Sequence, residues 1–201
     1  MKIAIVGGTG NIGTCLTKEA LSRGHSVTAI ARHPEKAHKD GKVTAKKGDV
    51  TDPRALAPLL SQHDVVISAV RFSESPAQNI IDATRSAGVT RLLVVGGAAS
   101  LRGADGKLVF ESLPEAWRGE ASAGMAFLDK LRGESALDWT FLSPSALIGP
   151  GERTGKFRLG LDQLLTDADG KSHISYEDYA IAMVDEVEKP NHVRKRFTVG
   201  Y

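Results

Sequence analysis

The sequence predicts an α/β protein, a doubly wound parallel sheet with helices on both faces. Three observations carry that expectation. Short β-branched apolar runs recur along the chain, each reads as followed by a segment of helical periodicity, and the runs are apolar at successive positions rather than alternating. Strands apolar on both faces belong to a sheet covered on both sides, with right-handed crossovers.

Lys2–Val6 reads as a buried strand, and Gly10–Arg23 carries Ile12, Cys15, Leu16 and Ala20 at helical spacing. Ser26–Ala31 is a second strand and Lys42–Lys47 a weaker third. Pro53 suits the first turn of a short helix that Thr51 or Asp52 caps. His63–Ser68 is strand four. A helix then runs from Ser75-Pro76 to about Ala87, where Gly88 stops it. Arg91–Val95 and Asp138–Leu142 are strands five and six, with a helix over about Pro114–Arg132 between them. From Ser143 to Ser172 the pattern breaks into Gly, Pro and charge, with Asp167-Ala168-Asp169-Gly170 as a tight turn between two short strands. Ser175-Tyr176-Glu177-Asp178 opens a helix to about Glu188, and Arg196–Val199 is a closing strand.

Composition excludes several classes. The 201 residues are 41% hydrophobic and 25% charged, and at roughly 150 residues per domain they predict one domain over 1–201. A net charge of +2 and 5% aromatics disfavour a nucleic-acid partner, since neither a basic footprint nor a stacking platform is present. No run approaches the ~20 apolar residues of a membrane span, and Met1–Gly8 turns glycine-rich too soon for a signal peptide. The single cysteine, Cys15, excludes a disulfide framework and fits a cytoplasmic setting. The six histidines are scattered without metal-ligand spacing, so no metal is expected.

The most specific signal is Gly7-Gly8-Thr9-Gly10-Asn11-Ile12-Gly13, with Gly7, Gly10 and Gly13 in a G-x-x-G-x-x-G frame between a strand and a helix. Glycines there allow a sharp turn and a close backbone approach by a pyrophosphate, which the N–H groups and dipole of the helix N-terminus then hold. Thr9, Asn11 and Ile12 belong to the same cradle. About 20 residues on, a site for NAD(H) places an acid at the end of strand two. This chain has Arg32 instead, suited to a 2′-phosphate, so NADP(H) is expected over NAD(H). Asp49, followed by Val50, falls after strand three, where it either accepts from the adenine amino group or serves a turn. Ser68, Ala69 and Val70, after strand four, are expected near the nicotinamide ribose.

These segments resemble the atypical short-chain dehydrogenases, in particular the NAD(P)H-binding group of NADH-flavin reductases, itself similar to biliverdin reductase B and the NmrA-like proteins. Gly7–Gly13, Gly48-Asp49-Val50, Ala87-Gly88-Val89, Val94-Val95-Gly96-Gly97-Ala98, Pro150–Lys156 and Ile174–Ala180 carry the likeness over nearly the whole chain. It implies a Rossmann-type fold and dinucleotide binding. The departures are informative. The Tyr-x-x-x-Lys positions of short-chain dehydrogenases fall near Ala121 and Met125, and the helix holding them has no tyrosine. Gly96-Gly97-Ala98 replaces the usual catalytic Ser or Thr, with Ser100 beyond it, and Ser143 stands where an arginine often ends strand six.

Reducing a ketone needs a positioned proton donor, whereas a flavin spreads the incoming charge over its rings and takes its proton from solvent. The missing Tyr–Lys pair therefore points to hydride transfer from NAD(P)H to a flavin, as substrate, or a similar conjugated acceptor. A small irregular insert at about 143–175 should form the substrate side, with Ser143, Arg153, Lys156 and Arg158 presented to a small anionic molecule. Ser100 is the one candidate to touch the reacting groups. A monomer or homodimer is expected. The alternative is a non-catalytic NADP(H) sensor of the NmrA-like type, in which the acid–base pair is absent because no chemistry occurs.

Overall fold

A computed structural model describes residues 1–38 and 40–201. Its centre is an eight-stranded sheet. Strand β1 (Lys2–Val6) lies between β2 (Ser26–Ala31) and β4 (Val65–Ser68); β3 (Val43–Lys47) lies outside β2. On the other side β5 (Arg91–Val95), β6 (Asp138–Ser143) and β10 (Lys195–Gly200) follow β4, all parallel, and β8 (Arg158–Gly160) closes that edge antiparallel. The order of the first six strands, 3-2-1-4-5-6, is that of a doubly wound dinucleotide-binding sheet, and the crossover reverses between β1 and β4.

The side-chain alternation of the strands feeds two cores. Ala4 and Val6 face helices α2 (Pro53–Leu60), α3 (Ala77–Ser86) and α4 (Glu115–Arg132), packing with Leu56, Ile80 and Phe127. Ile3 and Ile5 face α1 (Asn11–Ser22) and α5 (Tyr176–Glu188), packing with Leu16, Met183 and Phe197. Ile3, Ile5 and Leu16 have no exposed surface, so truncating any one to alanine costs about 2–5 kcal/mol. Helix starts follow local chemistry. Asp52 accepts the Ala55 N–H at 3.0 Å to cap α2, and Ser175 caps α5 by accepting from Asp178 N–H at 3.0 Å.

Several expected boundaries move. Strand four starts at Val65 because His63 turns its ring to Thr28 Oγ1 at 2.8 Å and Asp64 accepts the Lys2 N–H at 2.7 Å. A short 3-10 turn over Phe72–Glu74 precedes α3, which begins only after Pro76. The turn at Asp167–Gly170 forms, with the Gly170 N–H on the Asp167 carbonyl at 3.0 Å, but it does not join two paired strands. The strand before it, β8, pairs with β10; the strand after it, β9 (His173–Ser175), runs parallel to β7 (Leu147–Gly149). Long-range partners outcompete the local hairpin. Among the described residues no helix is long and apolar enough to cross a membrane.

Candidate functional site

The glycine loop separates two roles for glycine. Gly7 sits at φ +86°, and a Cβ there would lie 2.5 Å from the Ala69 carbonyl oxygen. A Cβ on Gly13 would lie 2.1 Å from the Gly7 carbonyl oxygen, so α1 could not rise directly off β1. Both glycines are required by the protein itself. Gly10 is not: its backbone is extended, and a Cβ meets only Gly7 O at an unremarkable 3.4 Å. It caps α1 with no side chain bonded to the first turn and no acidic residue within it. The helix N-terminus thus keeps its positive end uncompensated beside open space, which suits a pyrophosphate.

That open space is a cavity of about 790 Å³ at the carboxyl ends of β1–β4. Gly7, Thr9 and Gly10 form one wall, Ala31–His33 and Gly48–Thr51 another, and Ala69–Arg71 with Ser73 and Glu74 a third. It lies at the point where the sheet order reverses. Arg32 is two-thirds exposed and bonds Glu74 at 2.8 Å, an exposed pair that competes weakly for its guanidinium. Asp49 folds its carboxylate onto its own turn, accepting from the Thr51 N–H at 2.9 Å and the Thr51 hydroxyl at 2.8 Å. Those bonds, with help from Arg32, hold its pKa below the usual carboxylate value.

A second cavity, of about 660 Å³, opens beyond β5 and β6. Its floor is Phe72, which stacks on Phe141 at 6.0 Å and meets Phe127 edge-on at 5.4 Å. Helix α4 presses against that ring: a Cβ on Gly124 would lie 2.8 Å from Phe72. Gly96–Ser100 line one side, Ala121 and Met125 another, and Trp117 and Leu147 stand at the rim, 61% and 70% exposed. The Phe72–Glu74 turn is the partition between the two cavities. Glu120 clamps it, accepting the Phe72 N–H at 2.7 Å and the Ser73 N–H at 3.0 Å. Burial alone would raise the Glu120 pKa, but the Ser73 hydroxyl, these two amides and Arg71 outweigh it and lower it below the usual carboxylate value.

Among the described residues lining this second cavity, Glu120 is the one that titrates, and no tyrosine, lysine or histidine is present. Tyr179 lies elsewhere, fully buried, donating to the Leu142 carbonyl at 2.6 Å and accepting from the Gly96 N–H at 3.3 Å; burial pushes its pKa upward. The Tyr201 hydroxyl lies 2.8 Å from Asp178 Oδ2 and 2.9 Å from Ser175 Oγ, and its single proton is taken up between these two acceptors. Neither hydroxyl is a candidate acid for this site.

The residues singled out from sequence divide accordingly. Gly7, Thr9, Gly10, Arg32, Asp49, Val50, Ala69 and Val70 meet in the first cavity, and Ser100 lines the second. Asn11, Ile12 and Gly13 form the helix start beside the first cavity without lining it. Ser68 and Ser143, expected at the cofactor and substrate sides, are buried strand ends that line neither cavity. The insert's cations also take other positions. Arg153 lies on Glu19 of α1 through two bonds of 2.8 and 2.9 Å, and Arg158 binds the carbonyls of Thr166 and Tyr201. Lys156 stays exposed, outside both cavities. Sequence reasoning missed Phe72, Trp117 and Glu120. One signal was available: Gly124 in the middle of a helix costs about 1 kcal/mol against alanine and marks a close approach.

A parallel sheet reversing at β1/β4, with a glycine cradle and an open anion-binding helix start, defines a Rossmann-type dinucleotide-binding protein. The comparisons with known proteins narrow the class. A family model described as NAD(P)H-binding matches residues 7–190, and the chain belongs to this NAD(P)H-binding family. It is 38% identical to YwnB of Bacillus subtilis, an uncharacterized protein, over 99% of this chain and 98% of the relative. Among solved structures, a Bacteroides thetaiotaomicron protein provisionally named an epimerase is 43% identical with a TM-score of 0.94, covering 100% of this chain and 96% of the other. A Streptococcus pneumoniae protein provisionally named an NADH-flavin reductase is 32% identical with a TM-score of 0.83, covering 100% and 99%. These two provisional names imply different chemistry, so the shared scaffold identifies the family and leaves the reaction to the site.

Proposed function

We propose that the protein is an NADPH-dependent reductase that delivers hydride to a flavin or a similar flat conjugated acceptor. A single observation supports it above the others: the second cavity is apolar, adjoins the dinucleotide cavity across the Phe72 turn, and is lined by no group placed to donate a proton. Its lone acid, Glu120, is held deprotonated by two backbone amides. Reduced nicotinamide supplies the hydride, and the chain's residues bind, orient and exclude water. Gly10 leaves room for the pyrophosphate and the N-terminus of α1 receives it. Arg32, released from Glu74, pairs with the 2′-phosphate, which favours NADP(H) over NAD(H). Phe72, Met125 and the exposed Trp117 offer faces and edges to a planar ring. Ser100 contributes a hydrogen bond rather than a proton.

The name borne by the Streptococcus pneumoniae relative agrees with this reading, and the one borne by the Bacteroides thetaiotaomicron relative does not. An epimerase that oxidises and re-reduces a sugar hydroxyl needs an acid–base group at the carbon concerned, and the one titratable group lining the second cavity, Glu120, has its carboxylate engaged by the Phe72 and Ser73 amides. The test is NADPH oxidation with FMN, FAD, riboflavin, a quinone and an aliphatic ketone. Turnover confined to the conjugated acceptors is expected. Tight NADPH binding with no oxidation by any of them would instead favour a redox sensor.

A further inference from the structure

We infer that the acceptor cavity continues into an anion subsite that takes a phosphate group carried by the acceptor. This rests on the second cavity being the acceptor's place. A third cavity, of about 350 Å³, shares Ser100 and Met125 with it as a common wall. Its lining carries Arg102, Arg132 and Arg196 against Asp129 and Asp162, an excess of one positive charge. The three guanidinium groups arrive from separate places: the loop after β5, the end of α4, and β10.

Arg196 sets the field. Its side chain is 5% exposed, while that of Asp162, its carboxylate partner, is 66% exposed. Nε and Nη2 of the guanidinium are both taken up by Asp162, which leaves Nη1 as the end turned away from that carboxylate. On that side its Nη1 donates to Ser100 Oγ at 3.1 Å. The Ser100 oxygen is therefore the acceptor in this contact, and its own O–H is available to another partner. Arg102 and Arg132 are different in kind. Both are exposed, and Arg102 donates Nη1 to the Gly106 carbonyl at 2.8 Å. Arg132 donates Nη1 to Asp129 at 2.8 Å, three residues back on the helix surface. Exposed pairs of that type are weakly held. A phosphate monoester, with three acceptor oxygens and roughly −1.5 to −2 charge near neutral pH, suits the forked donors that remain. Met125 and Ser100 then mark where a flat ring in one cavity passes its charged tail to the other.

FMN and riboflavin differ by one terminal phosphate, so they isolate the subsite. Flavin fluorescence is titrated with protein loaded with NADP⁺. FMN should bind tighter than riboflavin by roughly tenfold or more, the scale of a charge-assisted contact, and high salt should erode the margin. Arg132→Ala and Arg102→Ala, both at exposed positions, should collapse the FMN-to-riboflavin ratio toward one. Arg54→Ala, on the remote surface of α2, should keep it. Equal binding of the two flavins by the parent protein, a ratio that survives both arginine substitutions, or no FMN binding overturns the subsite. NADPH oxidation is read separately: FMN-selective binding without turnover keeps the subsite and sinks the reductase reading. Equal turnover of both flavins with equal binding does the reverse.

Discussion

The two large cavities share one partition and are built by opposite means. The first is walled mostly by backbone turns at the ends of β1 to β4, within the first 76 residues. The second is walled by side chains drawn from Phe72, the 96–100 loop, α4 and the 144–148 segment. A dinucleotide presents the same phosphates in every such protein, and fixed backbone N–H groups and a bare glycine suffice to receive them. An acceptor is recognised by shape and apolar surface, which only packed side chains supply. The difference teaches where each function can change: the first cavity by disrupting a turn, the second by altering a contact.

The sharpest break in that comparison lies inside the glycine loop. Gly10→Val should fold with a melting temperature close to the parent's, yet lose NADPH affinity by about 100-fold or more, since its side chain enters space that the protein itself leaves open. Gly13→Val should do the opposite. With a Cβ directed 2.1 Å from the Gly7 carbonyl oxygen, it should cost roughly 3 kcal/mol or more of stability in a denaturant titration. If Gly10→Val binds NADPH normally, the pyrophosphate is not held there.

A smaller effect tests the charge on the first cavity. Arg32→Ala should weaken NADPH by ~1.5–3 kcal/mol, the scale of a charged hydrogen bond, and NADH by far less. Isothermal titration of both cofactors measures it, and equal losses would show that Arg32 does not read the 2′-phosphate. On the second cavity, removing one hydroxyl should cost only its hydrogen bond. Ser100→Ala is expected to lower kcat/KM for FMN by about tenfold or less, ~1.4 kcal/mol. A thousandfold loss would reveal a general acid and refute transfer without protein-borne proton donation.

The smallest effect concerns the partition itself. Glu120 has its pKa lowered on folding by the Ser73 hydroxyl and the Ser73 and Phe72 amides, against the opposing effect of burial. A depressed carboxylate contributes stability above its unfolded pKa and loses it as pH falls through the folded one. Acid should therefore loosen the Phe72 turn below about pH 4, the usual carboxylate range. Glu120→Gln should flatten that part of the stability profile, which a series of melting temperatures between pH 3 and 6 would record. An unchanged acid limb would mean that Glu19, Asp49, Asp178 and Glu188, whose pKa values are also lowered, account for all of it.

Legibility in the sequence follows the range of the forces involved. The glycine cradle was readable because its meaning is local: Gly7 and Gly13 are six residues apart, and their constraint is a steric contact within one turn. The same holds for Asp52 and Ser175, whose caps reach three residues. The helix over about Pro114–Arg132 was placed correctly, but which of its faces lined a cavity was not readable, because Phe72 comes to it from 52 residues away at Gly124. The insert misled for the same reason. Its cations read as substrate ligands, yet Arg153 finds Glu19 134 residues back.

The sequence by itself determined the elements, the doubly wound sheet and the glycine turn between β1 and α1, since hydrophobic periodicity, capping and glycine sterics act over a few residues. Only the tertiary structure decided which charges are engaged and which remain available, where the second cavity opens, and that β8 and β9 separate to pair with β10 and β7. Those outcomes depend on desolvation and packing among residues far apart in the chain. No local spacing encodes them, because the partner that satisfies a buried charge or an open strand edge is whichever group the fold brings near it.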